Sequence, residues 1–142
     1  MRFMMLVIPK ATYDPATPGA AAAHPDLVAK MTKMMKYNDS LQKAGVLLAL
    51  DGLHSPAMGA RVSFPGGSPQ VTDGPFAEAK EVVGGYWMIQ VKSREEAIEW
   101  ARRAPMSPGD IIEVRQVHEQ SEFPPEIQEA ARQFHELQKH SR

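Results

Sequence analysis

The chain has 142 residues, of which 43% are hydrophobic, and this is enough for one domain with a single buried core. The formal net charge is -1 and no basic stripe is visible, which argues against nucleic acid and anionic membranes as partners. There is no cysteine, which excludes disulfides and thiolate chemistry and fits a cytoplasmic protein. The short apolar run at the start is neither a signal peptide nor a membrane span.

The first half of the chain predicts a strand, a helix and a second strand. Phe3 to Ile8 is a continuous apolar run, typical of a strand that is covered on both faces, and residues 9–25 are rich in Pro, Gly and Ala and predict a long loop. An amphipathic helix of about five turns follows and ends at Gly45. Its stripe is Leu27, Met31, Met34, Asn38 and Leu41. Val46 to Leu50 then reads as a strand.

An inserted β-hairpin is predicted next, within residues 55–72. Ala60 to Phe64 and Gln70 to Thr72 are its strands, and the Pro-Gly-Gly-Ser-Pro segment between them supplies the turn residues. The hairpin interrupts the connection between two framework strands, because the next strong strand pattern begins only at Tyr86.

The second half of the chain predicts a strand, a helix and a strand. From Tyr86 to Val91 the residues alternate between two faces of a strand, with Trp87, Ile89 and Val91 on one face and Tyr86, Met88 and Gln90 on the other. Ser93 and Glu96 form a capping box that starts a helix. The last strand is predicted over Asp110 to His118, with Ile112 and Val114 on one face.

This order of elements predicts an α+β, ferredoxin-like βαββαβ split unit over residues 1–118, with the hairpin inserted. Such a sheet carries both helices on one face, and the other face would include Met4, Leu6, Tyr86 and Met88. Because an apolar patch of that size is normally covered, we expect a homodimer. Residues 119–142 form a tail with a third amphipathic helix, which we expect to fold over its own domain or onto the partner.

The segment from Val71 to Glu81 is the most distinctive stretch of the chain. Asp73, Gly74 and Pro75 are residues that favour a tight turn, and Phe76 and three charged residues follow them. The pattern resembles the signature of the YCII-related family, in the subgroup named for its Asp-Gly-Pro-Phe motif, whose consensus is D-G-P-F-A-E-T-K-E. This chain has Ala79 where that consensus has Thr, and the resemblance extends from about Arg2 to Val117.

The resemblance implies the ferredoxin-like fold, paired sheet against sheet as a dimeric α/β barrel with any ligand cleft between the two copies. Relatives with this motif are often encoded beside sigma factors of the extracytoplasmic type, which suggests a regulatory role. A His–Asp dyad is suggested for the family. It is not carried over, because Met34 and Ala104 occupy the corresponding positions here.

His54 and Asp73 are the candidate catalytic residues. Each follows or ends a predicted strand beside the inserted hairpin, and an imidazole near a carboxylate is a plausible acid–base pair. The alternative interpretation is that Asp73 serves the turn and that His54 is a solvated loop residue.

Five residues are candidate ligand-binding residues: Tyr37, Asn38, Tyr86, Glu113 and Arg115. Asn38 falls on the apolar stripe of the first helix, where it either bonds nearby backbone or points into a cleft. Glu113 and Arg115 share one strand face, as an ion pair that holds a polar ligand or as solvated residues at the rim. The two tyrosines line the cleft or serve only packing.

No metal site and no cofactor are predicted, because the His residues are dispersed and no phosphate-binding or nucleophile motif is present. Two functions remain open. One is a non-catalytic, small-molecule-binding or regulatory accessory protein. The alternative is a lyase, isomerase or dehalogenase that uses acid–base chemistry in the dimer cleft.

Overall fold

The computed structural model describes residues 1–10, 26–76 and 81–140, with side chains to residue 134. Three predicted features lie outside this part: residues 11–25 of the predicted loop, the motif residues 77–80 and the side chain of Leu137. The described elements are β1 (Arg2–Ile8), α1 (Leu27–Lys43), β2 (Leu47–Gly52), β3 (Ala60–Ser63), β4 (Gln70–Asp73), β5 (Gly85–Gln90), α2 (Arg94–Arg102), β6 (Ile111–Gln116) and α3 (Pro125–His140).

Four strands form one antiparallel sheet in the order β2-β5-β1-β6. Helix α1 connects β1 to β2, and α2 connects β5 to β6, so each helix joins two strands that are separated by one strand of the sheet. This is the split arrangement predicted from the order of elements, and the fold is α+β and consistent with a ferredoxin-like fold. Strands β3 and β4 pair only with each other, as a separate two-stranded sheet.

The core lies between the sheet and the helices α1 and α2. Alternate residues of β1 and β5 point into it, with Met5 and Ile89 fully buried, and Leu41 of α1 and Ala97 of α2 meet them from the helices. Burial of these side chains is the main favourable term for the fold. The predicted alternation of β5 is therefore correct. In β1 a single chain fully buries residues on only one face, and cover of the other face stays a prediction.

Helix termini follow the sequence signals closely. Gly45 takes a φ of +74° directly after α1, the left-handed conformation that glycine adopts without strain. At the start of α2, the Ser93 hydroxyl accepts a hydrogen bond of 3.1 Å from the Glu96 backbone N–H. The Glu96 carboxylate accepts from the Lys92 N–H at 3.0 Å instead of the Ser93 N–H. The reciprocal half of the predicted capping box is thus displaced by one residue.

The β3–β4 hairpin is fastened to the chain at its base. The Gly74 N–H donates a 2.9 Å hydrogen bond to the Gly59 carbonyl, and the Gly74–Pro75 peptide bond is cis. A Cβ placed on Gly74 would lie 1.8 Å from the Pro56 carbonyl oxygen, so this close approach requires glycine. The Arg61 guanidinium also lies 4.0 Å from the centre of the Phe76 ring. Both of these contacts lie at the base of the hairpin.

Helix α3 follows β6 through a short turn over Gln120–Glu122 and packs chiefly on that turn. The turn is tied to the sheet by Arg2, whose guanidinium donates to both carboxylate oxygens of Glu119 at 2.9 and 3.1 Å. Ile127 and Phe134, on the predicted apolar stripe, are exposed. Within the described residues, no helix combines the length and hydrophobicity needed to cross a membrane.

Candidate functional site

The face of the sheet that is turned away from α1 and α2 is the candidate site, and we call it the open face. Its centre is apolar and half-buried, formed by Met4 and Leu6 of β1 and by Tyr86 and Met88 of β5. Strand pairing arranges the open face in two rows. The first row is Asp51, Tyr86, Leu6 and Glu113, and the second is Ala49, Met88, Met4 and Arg115. Each row is therefore apolar in the middle and has a charged residue at the β6 end.

Tyr86 and Asp51 form the most specific polar contact on the open face. The Tyr86 hydroxyl donates a hydrogen bond of 2.8 Å to a carboxylate oxygen of Asp51. This hydrogen bond raises the pKa of Tyr86 above its usual value, with smaller contributions from burial and from the negative charge of Asp51. The phenol therefore stays protonated at neutral pH and can donate and accept hydrogen bonds.

Glu113 and Arg115 are both exposed on the open face, two residues apart on β6. They do not form the ion pair considered from the sequence, and within the described residues neither side chain has a salt bridge or a side-chain hydrogen bond. An unpaired Arg and an unpaired Glu beside an apolar strip are available to bind a ligand or another chain.

Tyr37 and Asn38 lie on the opposite side of the sheet, within or against the core. The Tyr37 hydroxyl donates to the Trp100 carbonyl, and the Trp87 indole N–H donates to the Asn38 side-chain oxygen at 2.8 Å. Asn38 thus binds a tryptophan side chain, whereas the sequence suggested backbone or a ligand. These two residues do not converge with Tyr86, Glu113 and Arg115.

His54 and Asp73 lie in two segments that meet at the base of the hairpin. Asp73 ends β4 opposite Ala60, and His54 precedes the turn that carries Pro56. The contact between Gly74 and the Pro56 carbonyl brings the two segments together. Both residues are exposed.

A surface pocket lies where β6 leads into the turn before α3. It encloses about 450 Å³ and is lined by Gln116, Val117, His118, Glu122 and Phe123. The Glu122 carboxylate lies 3.2 Å from His118 Nδ1 and accepts from the Glu119 N–H at 3.0 Å. The backbone hydrogen bond, followed by the contact with His118, lowers the pKa of Glu122. These contacts cap the turn and so have a structural role.

Asp51 is the functional candidate that the sequence did not single out. It ends a strand and resembles a turn residue in sequence, and only the pairing of β2 with β5 reveals that it faces Tyr86. For metal binding, no group of three or more His, Asp or Glu side chains comes together in the described part of the chain.

Comparisons with known proteins identify the family. Among solved structures, the chain is similar to the 5-chloro-2-hydroxyhydroquinone dehydrochlorinase of Burkholderia phenoliruptrix, in complex with 2,5-dihydroxybenzoquinone. The two are 17% identical with a TM-score of 0.40, and the match covers 85% of this chain and 98% of that one. Among curated proteins, none matches the sequence significantly. The family model of the YCII-related domain matches residues 1–121. Since this is most of the 142 residues, the chain belongs to the YCII-related family.

Proposed function

We propose that this protein is a homodimer that binds a small molecule at the open face of its sheet and acts as a non-catalytic accessory or regulatory protein. The two copies would pair sheet against sheet as a dimeric α/β barrel. Tyr86, Glu113 and Arg115 are the residues we assign to ligand binding, together with Asp51.

The observation that carries the proposal is the composition of the open face. Met4, Leu6, Tyr86 and Met88 form an apolar strip across the two central strands of the sheet. Removing such a strip from water is favourable. A second copy can cover it, because it presents the same apolar strip in return. Polar residues at both ends of the strip provide the few oriented contacts that a small-molecule site needs.

The state of Tyr86 supports binding over catalysis. A general base works best when its pKa is near the working pH, whereas Asp51 raises the pKa of the Tyr86 phenol. A protonated phenol that already donates to a carboxylate still offers its oxygen as an acceptor. It would orient a ligand hydroxyl or N–H group without taking its proton.

Membership of the Asp-Gly-Pro-Phe subgroup is part of the proposal, because Asp73 to Phe76 reproduce that motif without a substitution. We also propose a cytoplasmic location, in keeping with a composition that lacks cysteine.

Two methionine variants test the dimer. Met88→Glu puts a charge into the apolar strip, and we expect it to be folded but monomeric in sedimentation at micromolar concentration. Met35→Glu is the matched control, because Met35 is exposed on α1 and on the other side of the molecule, and it should remain dimeric. A wild-type protein that sediments as a stable folded monomer contradicts the proposal.

Native mass spectrometry of the purified wild-type dimer tests the ligand. We expect a bound small molecule that is lost from Asp51→Ala and from Tyr86→Phe while the dimer persists. A dimer that never carries such a molecule would contradict the binding function and leave the assembly intact.

The alternative function is a small-molecule enzyme of the lyase, isomerase or dehalogenase type, with His54 and Asp73 as the acid–base pair. The meeting of their two segments at Pro56 and Gly74 favours it. Asp73→Asn distinguishes the two, because Asn replaces Asp in a turn but cannot act as a base. If Asp73 is catalytic, turnover of any substrate found should fall while the melting temperature is unchanged.

A further inference from the structure

The two charged residues on β6 define how the second copy sits on the open face. This inference rests on the proposed homodimer. We propose that the two sheets face each other about a two-fold axis that runs across the strands, so that Glu113 of each copy pairs with the partner's Arg115.

The register of the sheet supplies the geometry. Leu50, Trp87, Met5 and Val114 are directly paired across all four strands and form a central row. The two rows of the open face flank this central row, one on each side. A two-fold axis along the central row therefore lays the first row of one copy over the second row of the other.

The four residues of the apolar strip then meet apolar residues of the partner. Leu6 faces the partner's Met4, and Tyr86 faces the partner's Met88. At the β6 end, Glu113 faces the partner's Arg115, and by symmetry Arg115 faces the partner's Glu113. At the β2 end, Asp51 faces the partner's Ala49, whose small side chain leaves room for a ligand beside the Tyr86–Asp51 pair.

The other symmetric way to face the sheets is an axis parallel to the strands, between β1 and β5. That axis lays β6 over the partner's β2, so Glu113 meets the partner's Asp51 and Arg115 meets the partner's Ala49. Like charges would then face each other while the arginine lacked a partner, and such juxtapositions disfavour an interface. Charge complementarity therefore selects the axis across the strands.

The unpaired state of both residues within one chain supports this choice. Among the described residues, neither has a salt bridge or a side-chain hydrogen bond, although they lie two residues apart on the same face. A charge that becomes covered in an interface without a partner is costly, and the partner copy supplies one for each. Facing sheets cross at about 30°, an offset that long Glu and Arg side chains span.

Charge reversal on both sides of the pair tests the axis. Glu113→Arg places two arginines on each copy, and Arg115→Glu places two glutamates on each copy. We expect each variant alone to dimerise at least about tenfold more weakly than wild type, because like charges face each other. Mixed in equal amounts, the two variants should form a heterodimer with about wild-type affinity, because both opposite-charge pairs are restored.

Asp39→Lys and Lys43→Asp are the controls, since this exposed ion pair lies on α1. Neither should change dimerisation. Circular dichroism melts establish that all four variants fold. If wild type and Met35→Glu are dimeric and Met88→Glu is monomeric, but the β6 variants dimerise normally or fail to recover on mixing, the axis is overturned while the proposed homodimer stands.

The absence of cysteine from the sequence allows a second, independent measurement. A mixture of Met4→Cys and Leu6→Cys copies should be joined between different copies by a short bis-maleimide reagent, because facing sheets lie about 10 Å apart, too far for a direct disulfide. A mixture of Leu6→Cys and Tyr86→Cys copies should cross-link much more slowly. The reverse order of rates would indicate the axis parallel to the strands and overturn the proposal.

Discussion

The Tyr37 hydroxyl donates a hydrogen bond of 2.6 Å to the backbone carbonyl of Trp100 and so joins α1 to α2. The Tyr37 ring is also edge-on to the rings of Trp87 and Trp100, at centroid distances of 5.2 and 6.4 Å. One aromatic residue thus connects both helices and the central strand β5. The Tyr37 hydroxyl can be buried because the Trp100 carbonyl accepts its hydrogen bond.

Tyr37→Phe should lower the free energy of unfolding by about 1 kcal/mol, the usual net value of one hydrogen bond. The loss is limited because the Trp100 carbonyl still accepts from the Arg103 N–H at 3.2 Å. Denaturant melts near neutral pH measure the difference. A loss above about 3 kcal/mol would mean that removal of the hydroxyl also disturbs the packing of the core.

The same residue predicts a pH dependence. Burial raises the pKa of Tyr37 from 10.0 to about 12, and the positive charge of Arg103 opposes part of this rise. Because the folded pKa is the higher one, the stabilisation is complete below pH 10 and is lost as the pH rises to about 12. The stability advantage of wild type over Tyr37→Phe should therefore shrink over this interval. A constant advantage would contradict the prediction.

Trp100→Ala should destabilise the protein by about 3 to 5 kcal/mol, the range for a buried aromatic residue. Its side chain is 7% exposed and lies under the Arg103 guanidinium, which is 3.9 Å from the ring centre. Met58→Ala is the control, because Met58 is 73% exposed, and it should change stability by less than about 0.5 kcal/mol. Denaturant melts that show a loss below 1 kcal/mol for Trp100→Ala would contradict the packing described.

Gly74→Ala should detach the base of the hairpin, because its new Cβ would overlap the Pro56 carbonyl oxygen. Gly59→Ala is the matched control. Its Cβ would lie at an ordinary contact distance of 3.6 Å from the same oxygen, and Gly59 has a negative φ of −116°. Hydrogen exchange of the β3 and β4 amides should accelerate in Gly74→Ala and not in Gly59→Ala. Equal exchange in both variants would refute this close approach.

Asp51→Ala should lower the pKa of Tyr86 toward its usual value, because the hydrogen bond and the negative charge that raise it are both removed. Titration of tyrosinate absorbance measures the shift, and the Tyr86→Phe variant assigns the transition. Asp51→Asn should give a smaller change, since its amide oxygen can still accept the hydrogen bond. No shift in Asp51→Ala would show that the pair does not form in solution.

The sequence predicted those features that depend on local pattern. The alternation from Tyr86 to Val91 assigned the two faces of β5, and Gly45 and Ser93 marked the helix ends. The order of elements then predicted the split arrangement of the sheet. These signals lie within a few residues of one another and do not require knowledge of distant contacts.

The candidate site was only partly predictable, because its geometry depends on pairs that are distant in sequence. Asn38 meets Trp87 and Tyr37 meets Trp100, which removes both residues from the face that carries Tyr86. Asp51 joins Tyr86 only through the register of β2 with β5, after a bulge between Leu47 and Ala49. A shift of one residue would have turned Asp51 to the other face.

The position of β1 has a consequence for how the protein is made. The first strand of the chain lies in the middle of the sheet, between β5 and β6, which are its last two strands. A nascent chain on the ribosome therefore carries an apolar strand whose neighbours have not yet been translated, and it completes the sheet only when β6 has emerged. Pairing of such distant segments slows folding, so we expect β1 to stay unpaired and open to aggregation until the end of the domain has been synthesised.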